Sequence, residues 1–152
     1  MMLKVIAGAL CLASTASATS MPACLPTASQ HGEETFALNR WFSKMNHGTY
    51  VEIGALDGEE KSNTLTFECM GWDGLLIEGS PSNFKRLASG FRSGKAHTRL
   101  VHSAVCAPPT KFVEFTDDTR GGAVQTAVDT ASSEFMRQWH PEGVSTPTVS
   151  VP

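Results

Sequence analysis

Between Glu33 and Met45 the apolar residues fall at Phe36, Leu38, Trp41, Phe42 and Met45. Leu38 to Phe42 and Trp41 to Met45 are each one helical step, so this spacing predicts an amphipathic helix. Asn46-His47-Gly48 should end it, with Gly48 as a left-handed cap. From Thr49 the period changes. Thr49-Tyr50-Val51-Glu52-Ile53-Gly54 is rich in β-branched and aromatic residues and predicts a strand, followed by a turn through Ala55-Leu56-Asp57-Gly58. Helical spacing returns at Thr64, Leu65, Phe67, Met70 and Trp72, with Ser62 or Asn63 as the cap and Gly71 as the stop. Leu75-Leu76-Ile77-Glu78 is a short apolar run finishing in a carboxylate, which suits a buried parallel strand. Ser80-Pro81 supplies a cap and a first-turn proline for the next helix. Phe84, Leu87, Ala88 and Phe91 line one face of that helix, and Thr98 to Val105 reads as a third strand.

Strand, helix, strand, helix, strand in that order predicts a right-handed α/β unit on a parallel sheet. Lys111-Phe112-Val113-Glu114-Phe115-Thr116 is a further strand. Pro108-Pro109-Thr110 is too short to hold a crossover helix, so Val105 and Phe112 are expected to belong to an antiparallel hairpin. Beyond it the chain reads as loop, with Ser132 to Trp139 its best helical stretch. It closes in a Pro/Thr/Ser-rich segment ending Val149-Ser150-Val151-Pro152.

The first residues do not belong to this pattern. Lys4, the apolar run Val5 to Leu12 and the small residues Ala13 to Ala18 have the make-up of a secretory signal peptide, with cleavage after Ala18 or Ala16. The apolar run is too short to span a bilayer as a helix, so no stable membrane anchor is expected. The domain organisation is therefore a leader over 1–18, a linker over 19–32 and a domain over 33–152, with the product secreted or in the secretory pathway. Cys24, Cys69 and Cys106 would remain after cleavage, an odd number in an oxidising compartment. Cys69, in an apolar helical stretch, reads as a small buried hydrophobe. No Cys/His spacing suggests a metal site.

The 152 residues leave room for one domain. With 41% hydrophobic and 18% charged residues the chain is in the globular range. Its net charge of −3 and scattered basic residues argue against nucleic acid as a partner.

The candidate chemistry gathers at the strand ends. Gly54 and Gly58 flank the turn after the first strand, where a missing Cβ lets backbone approach a ligand. The turn is not G-x-G-x-x-G, because Leu56 stands where a middle glycine would, and no G-K-[ST] is present. Glu78, at the tip of the second strand and about twenty residues past that turn, is placed as an acid that grips ribose hydroxyls, the other reading being an N-cap or solvated strand-end acid. Glu52 lies inside an apolar strand, where an unpaired acid is costly. It could hold a ligand's ammonium group or the backbone of the glycine turn. Asp57 is open to two readings, turn residue or site residue.

Taken as a set, Glu52 through Gly58, Ser62-Asn63-Thr64-Leu65, and Gly71-Trp72-Asp73-Gly74 continuing to Ser80-Pro81 resemble the FkbM methyltransferase family. His102-Ser103-Ala104-Val105-Cys106, Phe112 through Phe115, and Val149 through Pro152 match it in order and spacing. The resemblance covers about residues 35 to 152. It implies a Rossmann-like class I methyltransferase fold that binds S-adenosyl-L-methionine and methylates a hydroxyl of a small molecule or glycan. The Gly54 to Gly58 turn would then face the amino-acid part of the cofactor, with Glu52, Ala55, Asp57 and Asn63 counted among the cofactor-binding residues. Glu78 would take the ribose, and Ser103 or Ala104 would lie near the adenine. Leu56 replaces the family's usual asparagine. Family members also continue past the Val-Pro with a Leu-Asp segment and an Asp-x-Glu-Gly strand, so the resemblance implies an incomplete fold. No general base is named, although His102 and His140 are candidates. Two other readings stand beside this one. One is a secreted, non-catalytic binding or interaction module. The other is a nicotinamide-dependent oxidoreductase, which the glycine spacing disfavours.

Overall fold

The computed structural model describes residues 28–117, 122–141 and 147–152. The expected leader, most of the linker, Cys11 and Cys24 lie outside the described residues. Helix α1 spans Glu33–Ala37 and widens into a π-helical turn over Leu38–Phe42. The elements that follow are β1 (Thr49–Ile53), α2 (Leu65–Cys69), β2 (Asp73–Glu78), α3 (Pro81–Ser89) and β3 (Thr98–His102). Then come β4 (Val113–Thr116), α4 (Ser133–Trp139) and β5 (Thr148–Val151).

The fold is mixed α/β, with a three-stranded parallel sheet in the order β1-β2-β3 and a separate antiparallel pair, β4-β5. The parallel register aligns Ile53 with Ile77 and Glu78 with His102, so the carboxyl ends of all three strands meet at one edge. Strand alternation sends Tyr50, Glu52, Leu76 and Glu78 to the buried face. There Tyr50, Phe67, Trp72, Leu76 and Leu87 form the core, with Phe42 and Leu100 packed against it. Phe42 and Phe67 both contact the Trp72 ring, at centroid distances of 5.6 and 4.9 Å. On the other face Val51, Ile53 and Val101 are exposed among the described residues.

The caps follow the sequence signals closely. Ser80 accepts from the Asn83 N–H with Pro81 in the first turn of α3. The Ser62 hydroxyl accepts from Thr64 and Leu65 at the start of α2, and Ser132 caps α4 through Phe135.

Four expectations are corrected. Gly48 is not a left-handed cap, because its φ is not positive. It is small because a Cβ there would lie 2.5 Å from the Trp72 ring. The hairpin between Val105 and Phe112 does not form; β4 pairs instead with β5, Val113 opposite Val151 and Thr116 opposite Thr148. The closing segment is thus a strand, not loop. Cys69, finally, is disulfide-bonded and not a packed free thiol, while Cys106 is free and exposed.

Candidate functional site

The carboxyl edge of the parallel sheet opens into a cavity of about 720 Å³. Gly54 and Leu56 line it beyond β1, Glu78 and Gly79 at the end of β2, and Ser103 and Ala104 beyond β3. The second sheet closes the opposite side with Val113 and Phe115. In an open parallel sheet this is where ligands bind, because the strand-end loops there are free to diverge and present backbone groups.

Glu78 is the central side chain. It is only 3% exposed. One carboxylate oxygen accepts from the Ser80 N–H at 2.7 Å and the other from the Leu56 N–H at 2.8 Å. Burial pushes its carboxyl above the ordinary glutamate value, opposed by the Ser80 and Leu56 N–H donors. A carboxylate oxygen carries two lone pairs, so beyond these two bonds the carboxylate can accept further donors, and Asn83 and the Gly79 N–H also favour its charged form.

The turn after β1 is shaped for the same cavity. Gly54 holds a φ of 76°, and a Cβ there would meet no protein atom within 4 Å. The Gly54 and Ala55 N–H groups both donate to the Ile77 carbonyl, which ties the turn to β2. Leu56 holds a φ of 53°, a region side-chain-bearing residues seldom adopt. Its N–H bond to Glu78 fixes it there. Lys61 has a φ of 60° and also lines the cavity. Strained backbone of this kind clusters at ligand sites.

Other residues expected at the site have different work. Glu52 does not line the cavity. It is buried beneath the loop, accepting from the Ser62 hydroxyl and the Asn63 N–H, both at 2.8 Å, and pairing with Arg92 Nη1 at 3.2 Å. A strand acid needs partners, and Arg92 with the Ser62, Asn63 and Thr64 donors supplies them, in place of a ligand ammonium or the backbone of the glycine turn. Arg92 is fully buried and also pairs with Glu68 through Nε at 2.9 Å. Its Nη1 donates to the Gly58 carbonyl. Burial opposes its charge, but Tyr50 and Glu68 outweigh this and raise its pKa above the ordinary arginine value.

Ala55 is buried in the core. Asp57 accepts from the Glu59 and Glu60 N–H groups and from Arg86 Nη2 at 2.8 Å. Burial opposes the charge of Asp57, yet these donors prevail and hold its carboxyl below the ordinary value. It is a turn residue. Gly58 has a φ of 85° and gives room to Leu87, which a Cβ would approach to 2.6 Å. Asn63 contributes its backbone N–H to Glu52. So of the expected set, Gly54, Glu78, Ser103 and Ala104 line the cavity, while Glu52, Ala55, Asp57, Gly58 and Asn63 shape the loop behind it.

Neither histidine faces the cavity. His102 donates from Nε2 to the Gly79 carbonyl at 3.1 Å and stacks on Phe84. His140 Nε2 lies 2.8 Å from the Val124 carbonyl. Among the described residues no cluster of His, Cys, Asp and Glu is arranged to hold a metal ion, and no helix is long and apolar enough to cross a membrane.

Three contributors escaped sequence reasoning. Arg92 stands in Gly90-Phe91-Arg92-Ser93-Gly94, just past the apolar face of the helix, where no local pattern marks a buried cation. The buried Glu52 was the signal that a cation must exist somewhere. Asn83 lines the cavity and clamps Gly122, donating to its carbonyl at 3.0 Å and accepting from its N–H at 2.7 Å. Glu34 accepts from the Ala28 and Ser29 N–H groups, which fixes the backbone beside Gln30, another lining residue.

The chain matches no family model, no curated protein and no solved structure.

Proposed function

We propose that the cavity binds the nucleoside of S-adenosyl-L-methionine and that the protein is a methyltransferase acting on a hydroxyl of a small molecule or glycan. The observation that carries this reading is the junction of Glu78 with the Gly54 to Leu56 turn on one cavity wall. A vicinal diol needs a fixed acceptor, and Glu78 lines the cavity with its carboxylate fixed by two backbone N–H groups. Beside it, the open space at Gly54 admits a ligand up to the backbone. Ser103 and Ala104, one strand further along, border the place left for the base.

When bound, S-adenosyl-L-methionine supplies an activated methyl group. The task left to these residues is to hold the nucleoside still and exclude water while an acceptor oxygen is aligned with that group. The resemblance to the FkbM family, a Rossmann-like methyltransferase fold and passage through the secretory pathway are parts of the same proposal.

The test is calorimetry of the full chain with S-adenosylhomocysteine and, separately, with NAD. Binding of the first and not the second supports the reading, and Glu78→Ala should abolish it. Preference for NAD would replace it with the oxidoreductase alternative.

A further inference from the structure

Lys61 is the one Lys or Arg among the described residues that line the cavity. Its backbone is unusually well held for a lysine in a loop. It adopts a left-handed φ of 60°, and Ser29 forms a parallel bridge with it. The next residue, Ser62, donates to Glu52 and accepts from buried Arg92, so the chain just beyond Lys61 is locked from below. On the other side of the bridge, Glu34 pins Ala28 and Ser29 through their N–H groups. These two anchorages bring Gln30 and Lys61, more than two dozen residues apart in sequence, to the same cavity.

The ammonium group is available. Its ion pair with Glu60 is 3.6 Å long, and both side chains are substantially exposed. Such pairs hold a lysine only weakly. A ligand carboxylate approaching within a partly enclosed cavity competes well against that contact, since a charge-assisted hydrogen bond strengthens as water is excluded.

Position decides which carboxylate. The cavity spans the three strand ends in the order Gly54, Glu78, Ser103. If Glu78 takes the ribose and Ser103 borders the base, the remaining end of the ligand lies over the turn after β1, and the loop from that turn carries Lys61. On the nucleoside reading argued above, that end is an amino acid with a free carboxylate. We infer that Lys61, with Gln30 beside it, is the recognition point for the amino-acid carboxylate of the cofactor and selects amino-acid-bearing nucleosides over truncated ones.

The experiment compares two probes on the full chain by calorimetry. S-adenosylhomocysteine carries the amino-acid tail, and 5′-methylthioadenosine keeps the nucleoside but lacks it. Lys61→Met, which retains the apolar stem, should weaken S-adenosylhomocysteine about tenfold or more, the scale of one lost charge-assisted bond. It should leave 5′-methylthioadenosine within about twofold, and Lys61→Arg should keep most of the affinity for both. Circular dichroism of each variant checks that the fold survives; Lys61→Gln repeats the comparison if the methionine variant does not fold. Equal effects on the two probes, or none on either, overturn the Lys61 assignment while leaving the nucleoside site standing. A wild-type chain that binds neither probe overturns the nucleoside reading itself, and Lys61 with it.

Discussion

Arg92 places Nη1 3.2 Å from the Glu52 carboxylate and 3.1 Å from the Gly58 carbonyl, so one buried guanidinium joins strand β1 to the loop that borders the cavity. Its Nε bonds Glu68 on α2 as well. Removing the cation leaves two carboxylates without it in a site that excludes water. Arg92→Met should therefore destabilise the chain by about 3–5 kcal/mol. Arg92→Lys should recover only part of this, because a point charge cannot reproduce the fork that meets both acids. Urea unfolding of the three proteins gives the comparison.

Glu78 gives the fold a definite pH signature. Its carboxyl is raised in the folded state by burial, so its favourable contribution is complete below the ordinary glutamate value and is lost as pH rises through the raised one. Glu78→Gln removes that loss. The stability of the variant relative to the wild type should thus improve as pH rises above the ordinary glutamate value, read in urea titrations. A flat difference would mean that Glu78 does not titrate as its burial requires. The affinity for S-adenosylhomocysteine should move the other way, falling on acidification as the diol acceptor becomes protonated.

The two faces of the sheet should respond differently to substitution. Leu76 is 0% exposed within the core, whereas Val51, one strand away, is 59% exposed. Leu76→Ala should cost about 2–5 kcal/mol through lost contacts and an unfilled cavity. Val51→Thr should change stability by less than about 0.5 kcal/mol. Thermal melts would show the contrast directly.

Gly48→Ala tests whether the Trp72 ring is what keeps that position small. A methyl group 2.5 Å from Trp72 Cε3 must displace the indole from Phe42 and Phe67. A loss of about 1–3 kcal/mol is expected, with a change in tryptophan fluorescence. A left-handed cap would predict the same loss for Ala but no spectral change.

Cys106 offers a footprint of the site. Its thiol is free, exposed and part of the cavity lining. Iodoacetamide should alkylate it readily, and S-adenosylhomocysteine should slow the reaction. Cys69, being disulfide-bonded, should be protected until reductant is added. Mass spectrometry after timed quenching reads both.

Much of the parallel sheet was legible because its signals are local. A β-branched run, a serine followed by proline and a short apolar stretch ending in an acid each specify their element within a few residues. The β4-β5 pair was not legible for the opposite reason. Its register joins Val113 to Val151 across a long separation, and four-residue strands carry too little alternation to announce a distant partner. A compact run of prolines between Val105 and Phe112 suggested a nearer and wrong one. At the site, Gly54 and Glu78 line the cavity as expected, because a turn glycine and a strand-end acid are each marked by position along the chain. Glu52, Asp57 and Asn63 look equally chemical in one dimension, but once the loop closes the Glu52 carboxylate meets Arg92, that of Asp57 meets Arg86, and Asn63 gives its backbone N–H to Glu52. Only three dimensions show which way an acid points.

The exit from β3 has a mechanical meaning. Ser103 donates its N–H to the Glu78 carbonyl, and Ala104 donates its N–H to the Pro152 carbonyl, so consecutive peptide units are stitched to different sheets. The gap between those sheets is held there by main-chain bonds together with the Phe115 ring against Gly79. Swapping Val113, which lines the cavity as well, would recontour one wall while those ties persist, which makes that position a template for whatever shares the chamber.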